Sequence, residues 1–353
     1  MANCSPRARL GRFPDSTGVP AARDYALSSK AWLLDNITHS LAGWALAETG
    51  LKRRTRKGLA ACVLAANMPD IDVFFGWAPW EPLAMHRGFT HGLVGGVLLM
   101  PPILAGLLWL LDRWQLLRQG AIRQNALPMH FGWLTALCYL GALTHPLLDL
   151  QNVYAVQLLS PLSGYWYHTD GLFIVDPWIW IMLGLGIWRS RRRRSGGPVI
   201  AALLAAIVYI GANIGIARLA YYAVRNEVPY AAPDRIFAGP KPLAFWRREV
   251  IWRQSGRIAR GEYDLLQRPF DLVAYGPPAP DHMEDPLTRR ALHADRQVER
   301  FLDWSIMPIA QITPSGCTAR VTFRDARFQG PRFEDSFSAS ADLPSGRPGC
   351  PPR

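Results

Sequence analysis

Four long apolar runs separated by basic residues constrain this fold more than any other feature. They cover residues 92–111, 131–150, 173–188 and 199–222. A helix needs about 20 apolar residues to cross the ~30 Å hydrocarbon core of a bilayer. Inside a bilayer every backbone polar group must be bonded internally, which favours helices. We therefore predict that these runs form transmembrane helices.

Two shorter helical stretches precede the runs. The first begins at Asp35 or Asn36 and ends at Gly50, and the second covers residues 58–68 and is stopped by Pro69. A loop or broken helix is expected at residues 69–92, and a basic loop at residues 112–130. The predicted fold class is therefore an all-α polytopic membrane bundle of about five to six helices, with a β-rich soluble domain after it.

The two ends of the chain differ in composition from the bundle. Residues 230–353 are polar and Pro-rich, and alternating stretches such as Ala319–Phe323 predict short strands. We expect three regions: residues 1–33 as a disordered extension or a segment before the true start, residues 34–225 as a transmembrane metal-site domain, and residues 226–353 as a small β-rich domain.

The net charge of +12 comes from 39 Lys and Arg against 27 Asp and Glu. Basic clusters flank the apolar runs, so the charge indicates membrane topology rather than nucleic-acid binding. With Lys52–Lys57, Arg113–Arg123 and Arg189–Arg194 in the cytoplasm, the loops at 69–91 and 151–172 and the C-terminal domain face outward. In that compartment Cys317 and Cys350 could pair, whereas Cys62 and Cys138 lie in apolar runs as core residues.

Seven residues of metal-ligand type lie in or beside the apolar runs. This topology places all of them on the outward side, where they predict a shared metal centre: His39, Asp70, Asp72, His86, His91, His145 and Asp149. Mixed imidazole and carboxylate ligands suit zinc best, with manganese or iron as alternatives. His168 and Asp170 are second-tier candidates in the other outward loop.

The sharpest local pair is His145 and Asp149, which share one face of a helix because they are four residues apart. The pair could bind an ion or merely satisfy each other by a hydrogen bond. Asp70 and Asp72 follow Pro69 in a turn, where both could bind, or one could orient a histidine. Arg87 carries a guanidinium suited to a phosphate or carboxylate, or it anchors the chain at the membrane interface.

Four segments in this order resemble the bacterial inner-membrane metal-dependent hydrolase family, the YdjM-like (DUF457) proteins. They are Asp35–Ser40, Asn67–Asp72, His86–His91 and Thr144–Asp149, and the resemblance covers about residues 34–225. It implies a multi-pass protein of the bacterial inner membrane, and the outward-facing C-terminal domain expected from the topology would then be periplasmic.

The ligand order is also similar to that of zinc-dependent phospholipase C and the P1-type nucleases. That similarity implies His39, Asp70 or Asp72, His86 or His91, His145 and Asp149 as ligands. Downstream, only His168, Asp170 and Asp176 remain, in a different spacing.

The leading function is metal-dependent hydrolysis at the outer face of the inner membrane. The bond would be a phosphoester in a membrane lipid or in another substrate. Asp70 or Asp72 would act as general base beside a metal-activated water, and Arg87 would hold the phosphate. A non-catalytic protein is the alternative, in which the site braces the bundle and the periplasmic domain binds a partner. Transport of a metal or proton is a third hypothesis, but ligands clustered at one face form no path across the membrane.

Overall fold

The computed structural model describes residues 36–74, 87–119, 127–226, 232–328 and 337–345. Residues 1–33, His86 and Cys350, on which predictions were made, lie outside these ranges. Six helices form the N-terminal part of the described chain: α1 (residues 36–48), α2 (Gly58–Asn67), α3 (Met100–Gln119), α4 (Phe131–Asp149), α5 (Pro177–Arg193) and α6 (Gly197–Asn226). A π-helical segment, Leu93–Leu99, leads into α3, and a 3-10 segment, Met68–Phe74, follows α2.

Three helices of the described chain are long and apolar enough to cross a membrane: Leu93–Arg118, Phe131–Asp149 and Gly197–Asn226. Helix α2 has 10 residues, or about 15 Å, half of a hydrocarbon core. The helical membrane region is thus confirmed, while the number of crossings beyond these three stays a prediction. The loop predicted over residues 112–130 was wrong in its first part, because α3 continues to Gln119.

The basic clusters gather at one end of the bundle. Arg56, in the turn before α2, donates to Asp112 near the end of α3 at 2.8 Å. The backbone of Gly196, before α6, lies against Thr49 after α1. The opposite ends of α1, α2 and α4 therefore lie together, and they carry the predicted ligands.

Small residues bring α1, α2 and α4 close together. A Cβ added to Gly43 of α1 would lie 2.6 Å from the backbone oxygen of Cys62, and one added to Gly141 of α4 would lie 2.5 Å from it. No side chain fits there, so both helices pack directly on α2. His39 is four residues from Gly43 and His145 is four from Gly141, so each imidazole continues the face that carries its glycine. The packing of α2 thereby brings the two imidazoles together.

The predicted β-rich C-terminal region is confirmed. In the described residues one sheet holds β1 (Arg235–Pro240), β2 (Arg247–Gln254), β3 (Arg257–Asp264), β4 (Leu272–Ala274) and β5 (Ala279–Pro280), and its strands are antiparallel. The second sheet holds β6 (Pro308–Ser315), β7 (Thr318–Asp325) and β8 (Ser338–Pro344). Two short helices, α7 (Pro286–Ala291) and α8 (Arg296–Trp304), cover the second sheet.

Helix α6 joins the bundle to the first sheet. Its outer half, from Ile216 to Val224, packs against Val250, Trp252 and Tyr263 of the sheet in one buried cluster. Beside them Arg248 of β2 is fully buried. It donates to the backbone oxygen and the side-chain oxygen of Asn213 on α6, each at 2.7 Å, and to the backbone oxygen of Asp170 at 3.3 Å.

Asp325 is a second buried charge in the C-terminal region. Arg327 donates to its two carboxylate oxygens at 2.9 Å from two nitrogens, and Ser305 donates at 2.6 Å. Burial alone would raise the pKa of Asp325, but the charge and hydrogen bonds of Arg327 outweigh it and hold that pKa below its usual value.

Acid should therefore destabilise the C-terminal region through Asp325. A carboxyl with a depressed pKa contributes stability above its unfolded pKa, and that contribution is lost as pH falls through the folded pKa. We expect Asp325→Asn to lower the unfolding free energy at neutral pH by about 3–5 kcal/mol. Below about pH 4 the unfolding free energy of the variant should fall less steeply with pH than that of the wild type. Thermal melts by circular dichroism measure both. Asp342→Asn, which removes an exposed pair with Arg320, is the control and should change little; equal effects of the two variants would contradict the role of Asp325.

Candidate metal centre

The C-terminal end of α4 carries the centre of the site. His145 and Asp149 are buried, with 0% and 1% of their surface exposed, and His145 Nε2 lies 3.4 Å from Asp149 Oδ2. Pro146 lies inside the helix, which continues to Asp149. The predicted shared face of these two side chains is therefore present.

Asp70 and His91 approach from the segments that flank the bundle. Asp70 lies in the 3-10 segment after α2, and its Oδ1 is 3.1 Å from His91 Nε2 and 3.5 Å from His145 Nε2. His91 lies just before the π-helical segment and is fully buried. Its Nε2 is also 3.6 Å from Asp149 Oδ2, so His91 faces both carboxylates.

His39 completes the cluster from the start of α1. Its ring stacks on that of His145 with centroids 3.8 Å apart, and its Nε2 lies 3.6 Å from Asp149 Oδ1. Two overlapping groups in the described residues could thus hold an ion, one of His39, His145 and Asp149 and the other of Asp70, His91 and His145. His145 belongs to both groups, and the potential ligand atoms in each lie within 4.8 Å of one another.

Two of these imidazoles are fixed by contacts at Nδ1, the ring nitrogen that faces away from the cluster. His145 Nδ1 is 2.7 Å from the backbone oxygen of Ala66, so this nitrogen carries the proton and Nε2 faces the cluster. His91 Nδ1 is 3.5 Å from Asp72 Oδ2 and 3.1 Å from the Thr90 hydroxyl, which itself donates to Asp72. Asp72 therefore contacts the outer side of His91, which fits the predicted alternative that one aspartate orients a histidine.

Arg87 lies against the carboxylate of Asp149. It has a left-handed backbone, with φ of 69°, and only 5% of its surface is exposed. Its guanidinium lies 3.3 Å from Asp149 Oδ1, donates to Asn152 Oδ1 at 2.6 Å and covers the ring of Tyr154. In this structure Arg87 thus fixes Asp149 and Asn152 in place.

These contacts shift the pKa values of Asp70 and His91. Burial would raise the pKa of Asp70, but the nearby charge of His145 and the hydrogen bond with His91 hold it well below its usual range. Burial would lower the pKa of His91, but hydrogen bonds to Asp70 and Asp72 leave it raised. Asp70 is therefore a carboxylate at neutral pH, as a metal ligand must be.

The residues present fit a divalent cation on two grounds. His145 Nε2 and Asp149 Oδ2 are buried and have no hydrogen-bond partner in the described part of the chain, although such atoms are normally satisfied. In the state that could ligate a metal the imidazoles are neutral, and the carboxylates of Asp70, Asp72 and Asp149 then outweigh the guanidinium of Arg87 by two negative charges. A dication would bind the two unpartnered atoms and cancel that charge.

The second-tier candidates, His168 and Asp170, and the remaining downstream carboxylate, Asp176, make other polar contacts. His168 Nδ1 is 2.9 Å from Asp170, whose other oxygen accepts from Tyr221 at 3.0 Å. Asp176 accepts from the backbone at the start of α5 and from the hydroxyl of Tyr209. None of the three belongs to either ligand group found in the described residues.

Sequence reasoning missed two contributors. Asn152 donates to Asp149 at 3.3 Å and accepts from Arg87, and its only sequence signal is a position one turn beyond Asp149. The backbone oxygen of Ala66 gives no signal in a sequence, because any residue there would supply it.

Comparisons with known proteins agree with this architecture. The family model described as "YdjM inner membrane protein" matches residues 34–220. The "Uncharacterized protein YfhP" of Bacillus subtilis (strain 168) is 27% identical over 170 residues, which are 47% of this chain and 43% of that protein. The chain thus matches less than half of that relative's length. No solved structure matches this chain. Since the family model covers more than half of the chain, the protein belongs to the YdjM inner membrane protein family.

Proposed function

We propose that this protein is a membrane-bound metal-dependent hydrolase of phosphoester bonds. The observation that carries the proposal is the buried convergence of three imidazoles and two carboxylates on the same small volume. Such a set is costly to bury without a cation. In the proposal His39, Asp70, His91, His145 and Asp149 hold the metal, and zinc suits this mixed set best, with manganese or iron as alternatives.

A bound divalent ion would supply Lewis acidity and an activated water for attack at phosphorus. The chain's own residues do the positioning. Asp72 keeps His91 in one orientation, and the backbone of Ala66 does the same for His145. Arg87 orients Asp149, and it stays the residue that we predict to meet a substrate phosphate when the site opens.

Substrate would approach from the side of Asp70 and Asp72. Their side chains are 12% and 11% exposed, whereas those of His91, His145 and Asp149 are at most 1% exposed. This side lies at the end of the bundle opposite the basic clusters, and hence at the predicted outward membrane surface. A phosphoester in a lipid headgroup lies at that depth, so a phospholipid is the favoured substrate.

Two observations support a periplasmic C-terminal domain. The domain follows the end of α6 that lies away from the basic clusters. Cys317, in the turn between β6 and β7, is disulfide-bonded, and disulfides persist in oxidising compartments. The pairing of Cys317 with Cys350 stays a prediction, since Cys350 is outside the described residues.

A structural role for the metal is the second candidate. It is favoured by the burial of His91 and His145, whose surfaces are 0% exposed, because sites that only brace a fold are closed to solvent. In this case the protein binds metal but turns over no phosphoester.

Turnover before and after metal removal separates these candidates. The purified protein in lipid nanodiscs is assayed on a phospholipid and on a soluble aryl phosphodiester. We expect hydrolysis that chelation abolishes and that zinc or manganese restores. His168→Ala should keep this activity, since His168 lies outside the ligand groups, whereas His91→Ala should lose it. Bound metal without turnover on either substrate would favour the structural role.

A further inference from the structure

Exposed apolar residues lie at one end of the first sheet of the C-terminal domain. Leu243 is in the loop between β1 and β2, and Leu266 and Phe270 are in the loop between β3 and β4. They are 62%, 71% and 79% exposed. The two loops are neighbours, because the backbone of Leu265 donates to that of Trp246 at 3.1 Å. We call Leu243, Leu266 and Phe270 the apolar tip.

The loop that carries Leu243 of the apolar tip lies against the helical bundle. Trp178, in the first turn of α5, donates from its indole nitrogen to the backbone oxygen of Leu243 at 3.0 Å. Two residues on, the ring of Phe245 contacts the ring of Trp178 and that of Tyr209 on α6, with centroids 6.2 Å and 5.4 Å apart. The loop between β1 and β2 is therefore fixed against the bundle.

The position of Tyr209 sets the depth of this contact. Helix α6 has 30 residues, or about 45 Å, so it is longer than a ~30 Å hydrocarbon core. Tyr209 lies about 18 Å along α6 from its basic end. Trp178 lies near the start of α5, at the end away from the basic residues of that helix, and the exposed Ile181 and Leu185 lie between. At about 18 Å from the basic end, the contact of Phe245 with Tyr209 and Trp178 lies in the outer half of a ~30 Å hydrocarbon core.

The apolar tip therefore continues the lipid-facing surface of the bundle. Single exposed apolar residues are ordinary on soluble domains, but these three lie on two neighbouring loops, one of which contacts the bundle in the outer half of the bilayer. Arg268 is exposed between Leu266 and Phe270, where a guanidinium can reach lipid phosphates while apolar neighbours enter the bilayer.

From this placement we infer that the apolar tip inserts into the bilayer interface on the leaflet nearer the metal centre. The occupant of this surface is lipid, and the C-terminal domain rests on the membrane instead of standing clear of it. The inference does not depend on metal binding or hydrolysis.

Spin labels test this inference in the full-length protein. A nitroxide is attached at Phe270→Cys, at Leu266→Cys, or at His293→Cys as an exposed control between α7 and α8. Collision with oxygen, which concentrates in lipid, is compared with collision with a water-soluble nickel chelate in nanodiscs of zwitterionic and anionic phospholipid. We expect the oxygen-to-nickel ratio to exceed one at both tip positions and to stay below one at the control.

Two results would overturn the inference. Ratios at the tip equal to that at position 293 would place it in water, and loss of both collisions would mean that protein covers it. Because both tip residues are largely exposed, the labelled variants should unfold at the wild-type temperature, which checks that the fold is intact.

Discussion

His145→Ala is expected to abolish metal binding by the purified protein. His145 is the one residue shared by both possible ligand groups in the described chain, so its removal leaves neither group with three members. The variant also removes the imidazole that stacks on His39 and that lies 3.5 Å from Asp70. Elemental analysis by mass spectrometry should show bound metal in the wild type and only background in the variant.

His130→Ala is the matched control for this measurement. It removes an exposed histidine at the other end of the same helix and should leave the metal content unchanged. Equal metal in the wild type and in His145→Ala would show that the ion binds elsewhere, and no metal in the wild type would rule out the metal centre. Thermal unfolding of both variants shows whether the loss is one of ligand or of fold.

Arg248→Met is expected to lower the stability of the protein strongly. Arg248 is fully buried and joins Asn213 of the membrane helix α6 to the loop at Asp170. Methionine fills part of the space, but three acceptor oxygens lose their donor. Removal of one partner from a buried charged network costs about 3–5 kcal/mol. Thermal denaturation followed by circular dichroism should therefore show a marked loss of stability.

The neighbouring residue, Arg247, offers a more exposed control. The guanidinium side chain of Arg247 is 38% exposed and pairs with Asp264 at 2.8 Å. An exposed pair of this kind contributes up to about 1 kcal/mol, so Arg247→Met should change stability little. If the two variants were equally stable, the junction between sheet and helix would not depend on Arg248.

The side of the bundle on which the site lies could be predicted from sequence. Basic clusters mark the helix ends that share one side of the membrane. The opposite ends of α1 and α4, which carry predicted ligands, must then share the other side. Of the seven predicted ligands, the structure describes all except His86, and it brings these six together. Spacing on one helix turn was enough to relate His145 to Asp149.

The remaining features depend on contacts between distant segments. In the sequence, Arg247 and Arg248 look like two equivalent surface residues, but alternation along β2 sends one to solvent and the other into the core. Which of Asp70 and Asp72 faces His145 likewise depends on the path of the turn after α2. Such outcomes follow from strand register and loop path, which composition does not encode.

The length of α6 has a mechanical consequence. One uninterrupted helix runs from the basic end of the bundle to Asn226, and its outer half is part of the core of the first sheet. Because the helix is unbroken over these residues, α6 itself sets the orientation of the first sheet relative to the bundle. A change in the tilt of α6 would carry the first sheet with it.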